Sequence, residues 1–347
     1  MKQLLQCIVA CWLMPAFAQT ENMTDLDEVR SFVIDMQTRH GFTAAELLRD
    51  FQRIHPLPAV IKAIQPPVNP GIRSWKSYRS RFVEPRRIAA GVDFWKQHRT
   101  VLERAEKQYG VPIEIIVGII GVETIYGRNV GKFQTFAALS TLAFYYPPRA
   151  TLFRNELEAL LLLARDEGRE PLSYRGSYAG AMGLPQFLPS SVRHWAVDFD
   201  GDGRIDLANT TDAIGSVAHY LADHGWTKDA PIVAMAIVEG DKFNELLAEG
   251  IVPRRTPQEM EIFGVKAEGA PDQPAALIDL VTPGAPTEYR LGFHNFHVLT
   301  RYNQSSFYAT AVNDLAMAVQ QALARQTAVM GDSIERVESG SRSMRPK

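Results

Sequence analysis

Glu123 stands at the end of a stretch in which almost every neighbour is apolar. Ile113, Ile115, Ile116, Val117, Ile119, Ile120 and Val122 precede it and cover every face of a helix. A helix that is apolar all round is a buried helix. Pro112 suits its first turn, where a missing N–H costs nothing. A carboxyl at the mouth of such a helix is desolvated, and desolvation raises its pKa. The chemistry on offer is that of a general acid still protonated near neutral pH. The structural alternative is a helix-end Glu that reaches solvent or pairs with Arg128.

A second group of chemistry-bearing residues is the acidic run Asp198, Asp200, Asp202, Gly203, Arg204 and Asp206. It matches the opening of an EF-hand loop. Carboxylates at positions 1, 3 and 5 converge on a hard cation, Gly at position 6 makes the turn, and position 7 offers its carbonyl. Position 7 is Arg204, which can give only its backbone oxygen. Position 12, normally Glu, is Asn209, and the next acid is Asp212. A loop three residues longer would bring Asp212 in as the closing ligand. The predicted ligand set is Asp198, Asp200, Asp202, Arg204 and Asp212, and the predicted ion is a structural calcium. His194, His219 and His224 lie nearby, but they lack the second cluster that a zinc site needs.

The elements that must position these groups are mostly helical. Helices are expected over residues 25–36 and 44–54, the latter opened by a capping box from Thr43 and Glu46. A short helix follows Pro56 and Pro58, and residues 66–71 form a Pro-rich connection. One long helix is expected over 85–109, closed by Gly110. Thr135 should cap a helix to residue 144, and a Leu-rich helix runs to about residue 167. Residues 173–190 form a glycine-rich loop with Gly176, Gly180 and Gly183, able to let backbone approach a bulky ligand. A helix over 211–224 comes next. Residues 232–238, 275–281 and 289–299 look extended between Gly/Pro turns, a small β-rich insertion. Residues 305–324 are helical again, and 326–347 read as a disordered tail.

At 347 residues the chain exceeds a usual single core, so two or three domains are expected. A 46% hydrophobic and 22% charged composition is that of a globular protein. A formal charge of −2 and the lack of a Lys/Arg-rich run exclude a nucleic-acid binder. Residues 1–18 read as a cleaved signal peptide: Lys2, an apolar run, then Ala16-Phe17-Ala18 before Gln19. Both cysteines, Cys7 and Cys11, fall inside it, so the mature chain would hold no disulfide. The second reading of this segment takes Ile8 to Cys11 as a lipobox, with Cys11 the lipidated terminus.

The motifs occur in an order that resembles one family. Glu123-Thr124-x-Tyr126-Gly127-x-x-x-Gly131 comes first, then the stretch from Ser177 to Phe187, then the lengthened acidic loop, then Arg301-Tyr302-Asn303. Together they resemble the membrane-bound lytic murein transglycosylase B family, over about residues 75–324. The resemblance implies a mainly α (α+β) fold: a lysozyme-like core holding an EF-hand-type calcium loop, a helical domain and a small β-rich insertion. The implied division is a helical domain at 19–110, the core at 111–226, the β-rich domain at 227–297 and a closing helical segment at 298–325. It implies cleavage of the β-1,4 link between N-acetylmuramic acid and N-acetylglucosamine in peptidoglycan, without water, leaving a 1,6-anhydromuramoyl end. Glu123 would be the acid and then the base. Ser177, Gln186, Tyr220, Tyr302, Asn303 and Tyr308 match groove positions, Tyr78 is a further one, and Tyr126 could also meet sugar.

The bottom-up reading agrees with this. No second acid stands in the Glu123, 177–186 or 302–303 segments, and an ordinary glycosidase needs two. The alternatives are a hydrolytic muramidase and a non-catalytic, calcium-dependent peptidoglycan-binding module. Tyr126 and Tyr220 as core aromatics, Ser177 as a loop former, and Gln186 and Asn303 as helix caps are the structural alternatives for those residues. The expected setting is the periplasm, as a soluble monomer on glycan strands, with cell-wall synthesis proteins as candidate partners.

Overall fold

The computed structural model describes residues 22–66 and 73–342, with side chains as far as residue 328 at the C-terminal end. The expected signal segment with its two cysteines, and most of the expected Pro-rich connection, lie outside the described residues. Among the described residues no helix is long and apolar enough to cross a membrane.

The fold is mainly helical and is built around one helix, Ile113–Thr124. Its seven aliphatic side chains named above are all buried. It has no polar face to turn to solvent, so other helices cover it on every side: Ser306–Arg342, Pro85–Gln97, Arg99–Tyr109 and Thr210–Asp223. The helices Asp27–His40, Ala44–Gln52, Pro58–Ile64, Thr135–Tyr145 and Ala150–Asp166 pack beside this group. Phe32, Phe51, Phe136 and Phe144 interlock there, with Phe51 and Phe136 at 5.1 Å between ring centres. The two groups share one continuous apolar core.

The chain then forms a four-stranded antiparallel sheet, in the order Val265–Lys266, Val233–Val238, Glu288–Gly292, Ala276–Leu280. Met235 pairs with Arg290, which pairs in turn with Ile278. The period-2 alternation divides the sheet's faces. Leu277, Leu291 and Ala236 form a small separate core, while Ala276, Ile278 and Leu280 pack on the main one.

Several local expectations are corrected. The helix expected over 85–109 is two, broken at His98 with φ −111° and ψ 20°. The break lets Val92 and Phe94 on one side, and Leu102 and Ala105 on the other, bury on differently aimed faces. Thr43 sits at an N-cap position but makes no capping bond, and the capping box occurs at Thr256 and Glu259 instead. Thr135 is the first helical residue, with Gln134 at the N-cap. The extended stretch at 289–299 stops at Gly292, and His294–Tyr302 is a helix. Phe296, Val298 and Leu299 bury there, and buried Asn295 ties the helix to Thr227 and Ala230. The last helix continues to Arg342, into the segment expected to be disordered. Gln320, Gln321, Ala322, Leu323, Ala324, Arg325 and Gln326 lead into it, good helix formers through which a nucleated helix propagates.

Candidate active site

Glu123 is the penultimate residue of the central helix. Three devices hold the chain end around it. The Arg87 guanidinium, itself buried, donates to the carbonyls of Gly121 at 2.7 Å and Val122 at 3.2 Å. A cation there answers the negative end of the helix, where the Gly121 carbonyl also accepts the Ile125 N–H. The Thr124 hydroxyl donates to the Leu184 carbonyl at 3.0 Å and accepts from the Gly127 N–H at 3.1 Å. The helix end is thereby tied to the glycine-rich loop. Ile125 and Tyr126 then take left-handed φ values of 54° and 57°. For a β-branched residue that backbone is strained, and such strain persists only where the surroundings over-determine it.

Those surroundings include Tyr126 itself. Its ring enters a slot left by Gly91 and Gly121, where an added Cβ would lie 2.4 and 2.5 Å from the Tyr126 hydroxyl. Tyr126 therefore anchors the turn in the core and does not face the groove, a correction to its reading as a sugar contact. Burial pushes its phenol above its ordinary range.

The Tyr308 hydroxyl donates to Glu123 Oε1 at 2.6 Å. Burial pushes the Glu123 carboxyl up to about 7, with the Tyr308 hydrogen bond pulling the other way. Among the described residues no second carboxylate contributes to that shift. Tyr302 stacks on Tyr308 at 6.3 Å with planes 12° apart, and its hydroxyl donates to the Pro185 carbonyl at 2.6 Å. Burial, and then the Glu123 charge, raise the phenols of Tyr302, Tyr308 and Tyr78. The structure thus brings Tyr78, Tyr302 and Tyr308 together at Glu123. Tyr78 is held there by stacking on Trp75 and by the edge of Phe307.

Tyr220 lies one ring further back, 4.9 Å from Tyr302, with its hydroxyl on the Arg301 carbonyl. Ser177 accepts the N–H groups of Ala179 and Ala181, which folds the loop. Gln186, at φ 54°, donates to the carbonyls of Val130 and Gly183, joining the loop to the turn after Glu123. Asn303 is exposed at the end of its helix, beside Tyr302. Arg87 and Thr124 were missed by sequence reasoning. The negative end of a helix calls for a cation, but no local pattern names an Arg 34 positions upstream.

In the acidic loop, oxygens of Asp198, Asp200 and Asp212 lie within 4.8 Å of one another. Buried Asp212 accepts the N–H groups of Phe199, Asp200 and Asp206, so it shapes the loop as well as facing it. Desolvation, the largest single influence on Asp198, raises its carboxyl, but the N–H groups of Gly203, Gly201 and Asp202 that it accepts together hold it below the usual range. Asp202 is not among the converging oxygens. It accepts the Arg204 N–H, and exposed Arg204 makes that contact alone in the loop. Asn209 caps the next helix through Thr211 and donates to Asp200 at 2.6 Å. Three hard oxygen donors this close suit a calcium-sized cation.

One carboxyl that burial raises to about 7, beneath aromatic rings in a helical core, belongs to the lysozyme-like class. Within that class, the chain belongs to the transglycosylase SLT domain family, whose model matches residues 25–317. It is 42% identical over 311 residues to the membrane-bound lytic murein transglycosylase B of Escherichia coli K12, covering 85% of this chain and 83% of that one. Its structure resembles the soluble lytic transglycosylase SltB1 of Pseudomonas aeruginosa, with a TM-score of 0.79 and 46% identity, over 85% of this chain and 99% of the other. It also resembles the Escherichia coli lytic transglycosylase Slt35 solved in complex with calcium, with a TM-score of 0.75 and 40% identity, over 89% and 96% of the two chains.

Proposed function

We propose that this protein is a lytic transglycosylase of peptidoglycan, and that Glu123 alone performs both proton transfers. The observation that carries this is the buried, raised Glu123 carboxyl, bonded by Tyr308 and, among the described residues, without a carboxylate partner. Protonated Glu123 donates to the glycosidic oxygen as the bond from the N-acetylmuramic acid anomeric carbon breaks. The sugar's own 2-acetamido group supports the charge left on that carbon, as in substrate-assisted glycosidases. Glu123, now ionised and steadied by the Tyr308 O–H, takes the proton of the 6-hydroxyl. The 6-oxygen bonds the anomeric carbon and closes the anhydro ring. The proton lost in the first step returns in the second, and water is not consumed.

Tyr78, Tyr302 and Tyr308 supply apolar faces and hydroxyls around the reacting sugar. Ser177 and Gln186 keep the glycine-rich loop in shape, and Asn303 offers an exposed amide to the glycan. Asp198, Asp200 and Asp212 would hold a calcium ion, which would tie that loop to the helix Thr210–Asp223. The relative solved with calcium supports this assignment. The periplasm is the setting, with glycan strands as partner. The signal segment, or lipidated Cys11 in its stead, would decide whether the protein is free or anchored.

Mass spectrometry of digested sacculi tests the reaction. Released muropeptides should carry the mass deficit of one water at the muramoyl end. Reducing ends would make the protein a hydrolytic muramidase. A Glu123→Gln variant that digests as fast as the wild type would remove Glu123 from the reaction.

A further inference from the structure

The aromatic residues at Glu123 do not stop at the groove. Tyr308 stacks on Tyr302, Tyr302 meets Tyr220 at 4.9 Å, and Tyr220 stacks on His224 at 3.9 Å with planes 20° apart. Trp195 follows, 4.9 Å from Tyr220 and 4.8 Å from His224, and His194 lies 5.5 Å beyond it. Of the inner members, Tyr308 and Tyr220 are buried and Tyr302 is half-buried. The outer ones are not: Trp195 and His224 are half-buried, and His194 and Asp223 are exposed.

The outer end is also held rigidly. The Trp195 indole N–H donates to Asp223 Oδ2 at 2.7 Å, which fixes the ring between the ends of the helices Pro189–Trp195 and Thr210–Asp223. His194 and His224 each engage Nδ1 with a carbonyl one turn back, at 2.6 and 2.7 Å. Their Nε2 atoms, and Asp223 Oδ1, have no partner among the described residues. A pyranose presents apolar C–H groups on its faces and hydroxyls at its rim. A fixed indole with a carboxylate and imidazoles beside it matches both features.

We propose that Trp195, His224, His194 and Asp223 form a saccharide-binding subsite on the surface, joined to the Glu123 site through the buried rings of Tyr220 and Tyr308, which takes an N-acetylated β-1,4-linked sugar away from the bond cleaved. The proposal rests on the glycan-cleaving reading of the groove, and it makes this end of the molecule a ruler for chain length.

The test is binding of β-1,4-linked N-acetylglucosamine oligomers, short and long, in a Glu123→Gln background that does not turn them over. Trp195→Ala should weaken the long oligomers by about tenfold and leave the disaccharide unchanged. Trp195→Phe should recover part of the loss. Asp223→Ala, at an exposed position, should act in the same direction on a protein of unchanged melting temperature. Equal losses for short and long oligomers, or no loss for either, would overturn the subsite. Product mass spectrometry on the wild type reports separately on the groove, because it does not involve Trp195.

Discussion

The Tyr308 hydroxyl lies 2.6 Å from Glu123 Oε1, on a helix that begins 182 positions after Thr124 ends the central one. The hydrogen bond favours the ionised carboxylate, whereas burial favours the acid. Burial prevails, with a result of about 7, so Glu123 is poised to give a proton and to take one back.

Tyr308→Phe removes the donor and keeps the ring. The Glu123 pKa should then rise by about one unit, since a hydrogen bond to a charged group is worth about 1.5–3 kcal/mol. An acid must be protonated to act, so the alkaline limb of the pH–rate profile should move to higher pH. The maximal rate should fall about tenfold, because the carboxylate formed midway loses its support. A limb that stays in place would mean that Tyr308 does not tune Glu123.

Glu123→Gln should abolish cleavage and also stabilise the protein above neutral pH. The folded carboxyl ionises at about 7 against an ordinary 4.5. Its contribution is therefore fully present below about pH 4.5 and is lost as pH rises through 7, a change of ~3 kcal/mol. The Gln variant does not titrate. Denaturation at a series of pH values should show its advantage growing between those limits and then levelling. A constant difference would contradict the raised pKa.

Calcium should raise the melting temperature with the logarithm of its concentration once the site is near saturation, the stabilisation reaching about 3 kcal/mol at a hundredfold excess over Kd. Asp198→Asn should abolish that dependence, with a smaller loss in chelator than Asp212→Asn, because Asp198 also accepts three backbone N–H groups but is less buried. Asp212→Asn should also destabilise the metal-free protein, because Asp212 orders three backbone N–H groups by itself. Thermal melts with and without chelator measure both.

Gly131→Ala should destabilise the protein by ~2–4 kcal/mol. Gly131 has φ 84°, and its Cβ would lie 2.2 Å from the Gly176 carbonyl oxygen. Neither backbone can retreat, because Phe133–Gln134 pairs with Arg175–Gly176 close by. Activity on sacculi should fall with the melting temperature, since this contact seats the glycine-rich loop beside Glu123.

Read by itself, the sequence determined the central helix, the desolvated carboxyl at its end and the acidic loop. The first two are local matters of composition, since an all-apolar helix has to be buried; in the loop, Asp198 and Asp200 at alternate positions converge, but with Asp212 and without Asp202. It also determined the mainly helical class with a small sheet. The tertiary structure alone decided which groups meet Glu123. Tyr308, Tyr302 and Tyr78 arrive from helices far away in the chain, and the inward turn of Tyr126 depends on space left by Gly91 and Gly121. The strand that became the helix His294–Tyr302, the break at His98 and the Arg87 cap have the same origin. A side chain's environment is set by what packs against it from elsewhere, and for Glu123 that environment, more than its place in the sequence, brings its pKa to about 7.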